Sequence, residues 1–234
     1  MTALSLRDVP GVEPTVLPCL ARDLSAFTVD AVDQAMGEMA ARALGRDDLV
    51  PARRVLRNRR DAAAVLARLW VLGDRVTRAE LDSALVWTTT DGAERLGLVR
   101  SAGQAADDDV LARVDLRPLE SDGATWWLVS DLAESVVRGP LPEDHVLGLG
   151  GASTTLASWT PRVPAGRALD VGTGSGVQAL YLARHCAHVT ATDVSRRALG
   201  FARFNAALNA LSDGPFAGRD LDLRHGSLLE PVAG

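Results

Sequence analysis

Two carboxylates bracket a glycine-rich turn in the last third of the sequence. Asp170 sits near the end of the apolar run Ala168-Leu169-Asp170-Val171, Gly172-Thr173-Gly174-Ser175-Gly176 follows, and Asp193 closes the next strand-like run, His188 to Thr192. Gly172, Gly174 and Gly176 remove side chains where a ligand must touch backbone. The start of the helix that follows offers N–H groups and the positive end of its dipole, which suit a carboxylate or a phosphate. Asp170 puts a negative charge in the same place, which disfavours a bare pyrophosphate and favours an ammonium or sulfonium group. Asp193, at the tip of the second strand, is placed to accept hydrogen bonds from both hydroxyls of a ribose. A zwitterionic amino-acid tail joined to a ribose describes S-adenosylmethionine better than a dinucleotide. The glycine spacing, G-x-G-x-G rather than G-x-G-x-x-G, points the same way.

The elements that position these residues follow from periodicity. Arg167 to Val171 reads as one strand, Ser175 to Arg184 as a helix, and His188 to Thr192 as the next strand. Ser195 is the N-cap of a helix running to about Leu208, and Leu221 to Arg224 is a third strand. Strand–helix alternation with short connections predicts a parallel, doubly wound sheet, which takes its ligand at the carboxyl ends of the strands. Ahead of it, Ala133 to Asp144 reads as a linker. His145 to Ser153 is a glycine-rich segment leading into a helix near Thr154 to Trp159, with Ser153 or Thr154 as its cap. Gly148, Gly150 and Gly151 there fit either a plain loop or a close backbone approach to a ligand.

The front of the chain reads differently. Val29, Val32, Met36, Met39, Ala40 and Ala43 share one face of a helix from about Val29 to Leu44, with Gly45 at its C-terminal cap. Asp61 to Leu72 carries Val65, Leu66, Leu69 and Trp70 at helical spacing. Thr77-Arg78-Ala79-Glu80 is a capping box, and a short helix covers Asp91 to Leu96. Val110, Ala112, Val114 and Leu116 alternate with polar positions as a strand, and Thr125 to Ser130 returns as a second. Three helices and a hairpin are the order of a winged helix. The fold class is therefore α/β: an α-rich, winged-helix-like domain over residues 1–140, then the first part of a doubly wound, Rossmann-like sheet over residues 141–234.

Composition narrows the function. The net charge is −5, and all 25 basic residues are arginine. Broad non-specific nucleic-acid binding is disfavoured. Acids also outnumber arginines between Asp74 and Arg95. The cluster Arg53, Arg54, Arg57, Arg59 and Arg60 is either a solvated, ion-paired helix face or a phosphate-contacting patch. Cys19 and Cys186 are far apart, outside any C-x-x-C pattern, and read as reduced thiols with no metal. No stretch approaches the length of a membrane span and the N-terminus is not a signal peptide, so the sequence reads as a soluble, cytoplasmic protein.

The motif Asp170-Val171-Gly172-Thr173-Gly174-Ser175-Gly176 resembles the first motif of class I S-adenosylmethionine-dependent methyltransferases. Thr192-Asp193-Val194-Ser195, with Ala198-Leu199, Ala202 and Asn205-Ala206, resembles their second. The resemblance is to the small-domain group, which includes release-factor glutamine and N6-adenine methyltransferases, and covers about Asp144 to Gly234. Residues 61–144 more weakly resemble the winged-helix module ahead of some of these domains. The resemblance implies that Gly172, Thr173, Gly174 and Gly176 wrap the methionine tail, and that Asp170 orients its amino group. It implies further that Asp193 holds the ribose, that Val194 packs on the adenine, and that Ser227 and Leu228 belong to the loop at the adenine edge, where an Asp is usual. It also implies methyl transfer to a nitrogen of a protein side chain, a nucleic-acid base or a small molecule. The acceptor and the catalytic residues are unassigned.

Relatives of this kind carry Asn-Pro-Pro-Tyr after a fourth strand, and no Asn-Pro-Pro occurs in this sequence. The expectation is the cofactor half of a longer methyltransferase, its first strand left on an edge until a further segment or a partner chain completes the sheet. Asn205 and Asn209 are read as helix-face or capping residues. The competing readings are a binding module on a catalytically silent methyltransferase fold and, less favoured, a nicotinamide-dependent oxidoreductase.

Overall fold

The computed structural model describes residues 9–121, 123–137, 139–210 and 221–233. They divide into two compact units. The first is Met1–Thr125 with Leu132–Leu141, and the second is Trp126–Asp131 with Pro142–Gly234.

In the first unit the helices are α1 (Leu17–Leu24), α2 (Val29–Met36), α3 (Glu38–Leu44), α4 (Val50–Leu56) and α5 (Ala62–Leu66), the last continued by a π-helical turn (Ala67–Val71). The helix expected over Val29 to Leu44 is thus two. Thr28 caps α2 by accepting from the Ala31 amide, and Gly37, at φ +76°, breaks the run. The break rotates the second segment, so Met39 is 81% exposed while Met36 is buried. The helix expected from Asp61 is capped by that side chain and buries Val65, Leu66, Leu69 and Trp70. Strand β1 (Val76–Thr77) leads through the expected capping box, with both reciprocal bonds formed, into α6 (Arg78–Ala84); α7 (Thr89–Arg95) follows.

Strands β2 (Val99–Ser101) and β3 (Asp109–Ala112) complete a three-stranded antiparallel sheet of order β1-β3-β2. The alternating run expected as one strand to Leu116 is interrupted after Ala112. Strand β4 (Asp115–Ser121) starts anew, so β3 pairs backward with β2 rather than forward with residues 125–130. Arginines expected as a cluster are largely paired inside this unit: Arg53 with Asp74, Arg59 with Asp61 and Arg60 with Glu80.

Strand β5 (Ala124–Ser130) passes from the first unit into the second. There follow α8 (Gly151–Trp159), β6 (Ala165–Val171), α9 (Val177–Leu182), β7 (Cys186–Asp193), α10 (Arg196–Ala210), β8 (Leu221–His225) and a closing 3₁₀ turn (Glu230–Val232). The three strands form a parallel sheet of order β6-β7-β8, with Asp170 opposite Ala191 and Asp193 opposite His225. Strand β6 lies on the edge of this described sheet, and Leu169 and Val171 are 40% and 43% exposed. Helix α8 starts at Gly150 with no side-chain cap, in place of the expected Ser153 or Thr154. No described helix is long and apolar enough to cross a membrane.

Asn205 and Asn209, read as helix-face or capping residues, lie on a buried helix face and cap nothing among the described residues. Both are fully buried, one turn apart on α10, and read the backbone of β5 as a neighbouring strand would. Asn209 accepts from the Trp127 amide at 2.9 Å and donates to its carbonyl at 2.8 Å. Asn205 does the same with Val129, at 2.8 Å each way, and also donates to the Ser175 carbonyl at 2.8 Å. This ladder, with Trp126 edge-on to Tyr181 at 4.8 Å, assigns the end of β5 to the second unit and buries both tryptophans. Replacing Asn205 by Leu removes these bonds while keeping bulk, and leaves buried backbone groups unsatisfied. We expect a loss of about 1–3 kcal/mol, read from the urea midpoint at unchanged slope. A loss below about 0.5 kcal/mol would show that the ladder contributes no stability.

Candidate functional site

A cavity of about 430 Å³ opens at the carboxyl ends of β6 and β7, lined by the Asp170–Ser175 turn, Val177, Gln178, Asp193, Ser195 and Ala198, and by a strap, residues 143–148, with Ala152, Ser153 and Leu156 of α8. This is where a parallel sheet of this kind takes a ligand.

The turn is built from its glycines. Gly172, Gly174 and Gly176 have φ of +72°, +56° and +88°, a left-handed region that costs other residues about 1–2 kcal/mol each. The three differ in surroundings. A Cβ on Gly172 or Gly174 would meet nothing within 4 Å, whereas on Gly176 it would lie 3.2 Å from the Cα and Cβ of Ala202. Gly176 therefore permits α9 to pack on α10 and does not line the cavity. Gly172 and Gly174 permit the turn itself and leave space above it.

Most of the turn's amides are already used. Gly172 and Thr173 both donate to the Thr192 carbonyl, Gly176 donates to Thr173, and Gly174 donates to Oδ2 of Asp193 at 2.9 Å. The free N–H groups expected at the start of this helix are fewer than the sequence suggested. The other oxygen of Asp193, Oδ1, accepts from the Ser195 amide at 2.8 Å, while Ser195 Oγ caps α10 by accepting from Ala198. Asp193 remains partly exposed to the cavity. Each carboxylate oxygen has a second lone pair to offer a ligand.

Asp170 is buried, 8% exposed. Burial pushes its carboxyl above the ordinary carboxylate value and the charge of Asp193 adds to this, against two hydrogen bonds that oppose it, one from the Ala179 backbone amide and one from a side chain. The side-chain bond comes from the Thr173 hydroxyl, at 2.6 Å to Oδ2. Together with Glu143 and Asp144 of the strap, the lining carries four carboxylates, and among the described lining residues there is no arginine. The field in the cavity favours a cation.

Five of the sequence-predicted residues come together here: Asp170, Gly172, Thr173, Gly174 and Asp193. Val194, Ser227 and Leu228 lie outside the cavity lining, beyond the tip of β7, with Val194 66% and Leu228 71% exposed. They are tied to that tip. The Val194 carbonyl lies 3.0 Å from His225 Nε2, Gly226 donates to the Asp193 carbonyl, and Thr192 Oγ1 donates to the Leu228 carbonyl. Leu228 itself is held at φ +49°. Residues 143–147 of the strap and Gln178 were not foreseen as site residues, whereas Ser175 lies within the glycine motif and Gly148 in the segment read as either a loop or a ligand contact. Ser175 Oγ donates to the Leu147 carbonyl at 2.9 Å, and Gln178 Nε2 to the Ser153 carbonyl at 2.7 Å. The one sequence signal for the strap was the glycine group ending it. Among the described residues, no three or more His, Cys, Asp or Glu side chains are grouped so as to hold a metal ion.

Comparison with known proteins gives the family that the second unit resembles. Residues 148–227 match the family described as Methyltransferase small domain, and residues 25–113 match a Domain of unknown function (DUF7059). The release factor glutamine methyltransferase of Deinococcus radiodurans is 34% identical over 178 residues, which cover 68% of this chain and 59% of that protein. This chain thus spans less than two thirds of the relative's length. Among solved structures, the T. thermophilus 16S rRNA N2 methyltransferase RsmC, in complex with AdoMet and guanosine, is similar at 16% identity and a TM-score of 0.37, covering 81% of this chain and 50% of that one. The second unit thus carries, over residues 148–227, the match to the Methyltransferase small domain, a family of class I S-adenosylmethionine-dependent methyltransferases.

Proposed function

We propose that this chain binds S-adenosylmethionine in the cavity at the tips of β6 and β7 and serves methyl transfer to a nitrogen acceptor. One observation carries the reading: Asp170 and Asp193 line one cavity on either side of a left-handed glycine turn with open space above it. In this arrangement Asp170 with Gly172, Thr173 and Gly174 takes the methionine tail, and Asp193 takes the ribose hydroxyls on its remaining lone pairs. Val194 and Leu228 offer apolar surface to the adenine, with Ser227 at its edge. Gly176 belongs to the helix packing beneath. The bound cofactor supplies an electrophilic methyl group, and the chain's part is to bind and align it, since alignment and electrostatics dominate such transfers.

The nitrogen acceptor is supported by the name of the release factor glutamine methyltransferase, a relative that is longer than the matched region. A dinucleotide is disfavoured because its pyrophosphate would lie against Asp170, with Asp193, Glu143 and Asp144 lining the same cavity. Calorimetry with S-adenosylhomocysteine and NADH decides between them. Micromolar binding of the first and none of the second is expected, and the reverse result would refute the proposal.

Two substitutions locate the pocket. Asp193→Ala is expected to weaken S-adenosylhomocysteine binding by roughly 1–3 kcal/mol, the cost of losing hydrogen bonds to a charged group. Gly174→Val, which places a branched side chain in the open space above the turn, is expected to abolish it. Unchanged dissociation constants in both would put the pocket elsewhere.

Binding also carries a pH signature. Asp170 in the free protein is raised, so its protonated form is favoured on folding. The stability it contributes is fully present below the ordinary carboxylate value and is lost as pH rises through the raised one. A ligand cation favours the carboxylate instead. The rise in melting temperature caused by S-adenosylmethionine is therefore expected to grow with pH across that window, with proton release on binding at its acid end. In Asp170→Asn the slope should vanish.

A further inference from the structure

We propose that the Asp131–Arg197 ion pair is a positioning device for the cofactor cavity, holding the Asp144–Leu147 strap in place as one of its walls. The proposal rests on the reading of that cavity as the S-adenosylmethionine site.

The pair is built more elaborately than a chance contact. Asp131 directly follows β5, and Arg197 lies in the first turn of α10. The guanidinium grips the carboxylate with two nitrogens: Nη2 donates to Oδ1 at 2.6 Å, and Nη1 donates to Oδ2. Both side chains are only 14% exposed. Each partner then reaches the strap. Arg197 Nη1 donates to the Asp144 carbonyl at 3.1 Å. Asp131 Oδ2 accepts from the Val146 amide at 2.7 Å, and the Asp131 amide donates to the Val146 carbonyl at 3.1 Å. His145 Nδ1 lies 3.7 Å from Oδ2. The far end of the strap is tied to the glycine turn through Ser175 and Leu147. Asp144, His145, Val146 and Leu147 all line the cavity.

Stability alone is a weak reason for this arrangement. Taking two charges out of water largely cancels their attraction, and well-packed apolar side chains often do as well or better. What an apolar pair cannot supply is two directed side-chain hydrogen bonds to the strap, one at Asp144 and one at Val146. The placement on α10 supplies the link to the ligand. Arg197 stands one turn beyond Asp193, and Asp193 also holds the Ser195 amide at the start of that helix. The carboxylate read as the ribose acceptor and the clamp on the strap are thus fixed to the same helical turn, so a ligand bonded to Asp193 meets a wall already in register with it. Neither Asp131 nor Arg197 lines the cavity, so they act through the strap and not on the ligand.

The test uses the full chain with Arg197→Met, Arg197→Lys and Asp131→Asn. It reads calorimetric dissociation constants for S-adenosylhomocysteine, together with amide hydrogen exchange at residues 144–147 and along β7. We expect Arg197→Met to weaken binding about tenfold and to speed exchange in the strap at least tenfold while β7 is unchanged, and Arg197→Lys to recover part of both. Asp131→Asn keeps shape and a neutral acceptor for Val146, so a loss of about threefold is expected. It carries the test by itself if Arg197→Met does not fold. Binding within twofold of the unsubstituted chain in every folded variant overturns the proposal, whatever the strap amides do. So does weakening accompanied by equally faster exchange in β7, because the pair would then be supporting the fold at large. If the unsubstituted chain fails to bind S-adenosylhomocysteine, the cofactor reading falls and this one with it. Tight binding there beside unaffected variants removes the positioning role alone.

Discussion

The carboxylate of Asp193 is shared between two backbone amides, and the rest of the site is arranged around that sharing. Gly174 donates to one oxygen and Ser195 to the other. The first bond fixes a turn that only glycines can form without strain, and the second fixes the start of α10. One side chain at the end of β7 therefore sets the distance between the loop after β6 and the helix after β7, the two surfaces between which the cavity opens. A neutral side chain of similar shape would still make one such bond. It could not accept from two amides on two oxygens and keep lone pairs on both for a ligand.

Helix α10 is the second organising element. Asn209, Asn205, Phe201 and Arg197 recur every four residues and so share one stripe. Phe201 is fully buried with the Arg197 guanidinium 5.2 Å from its ring centroid, and the asparagines pair with β5 backbone. The opposite demand, close approach to α9, is met where Gly176 lies against Ala202. A helix of modest amphipathic character thus holds β5, the glycine turn and the strap at once. Its polar groups are buried because they complete the hydrogen bonding of neighbouring backbone.

The sequence was most legible where one residue type admits few backbone states. The glycine turn, the strand ends at Asp170 and Asp193, the Ser195 cap and the Thr77–Glu80 box are all local, and each could be read from spacing. The misreadings share a different cause. Gly37 lies inside a run whose apolar spacing looks continuous, and only its left-handed conformation ends the helix there. Strand β3 alternates smoothly into β4, and its choice of β2 as partner is a long-range pairing that periodicity does not encode. Asn205 and Asn209 look like surface residues by type, because the backbone they satisfy lies some eighty positions away in the sequence. The glycines of the strap left its role open between loop and ligand contact for the same reason. Asp131 and Arg197 are ordinary surface residues until the fold brings them together.

The charge distribution explains why a site with so many acids is not simply unstable. Asp193 spends its charge on two amides, Asp131 is neutralised by Arg197 outside the cavity, and Glu143 and Asp144 stand on the strap at partly solvated positions. The desolvation falls on Asp170, whose carboxyl is accordingly pushed toward its protonated form. That residue is the point at which a ligand's positive charge would be worth most, because attraction rises as local dielectric falls. A cation near Asp170 offsets the cost of burying its charge, whereas a phosphate would add to it. The preference for a positively charged ligand is therefore strongest at one buried acid, with the other lining acids, exposed or hydrogen-bonded, adding to it.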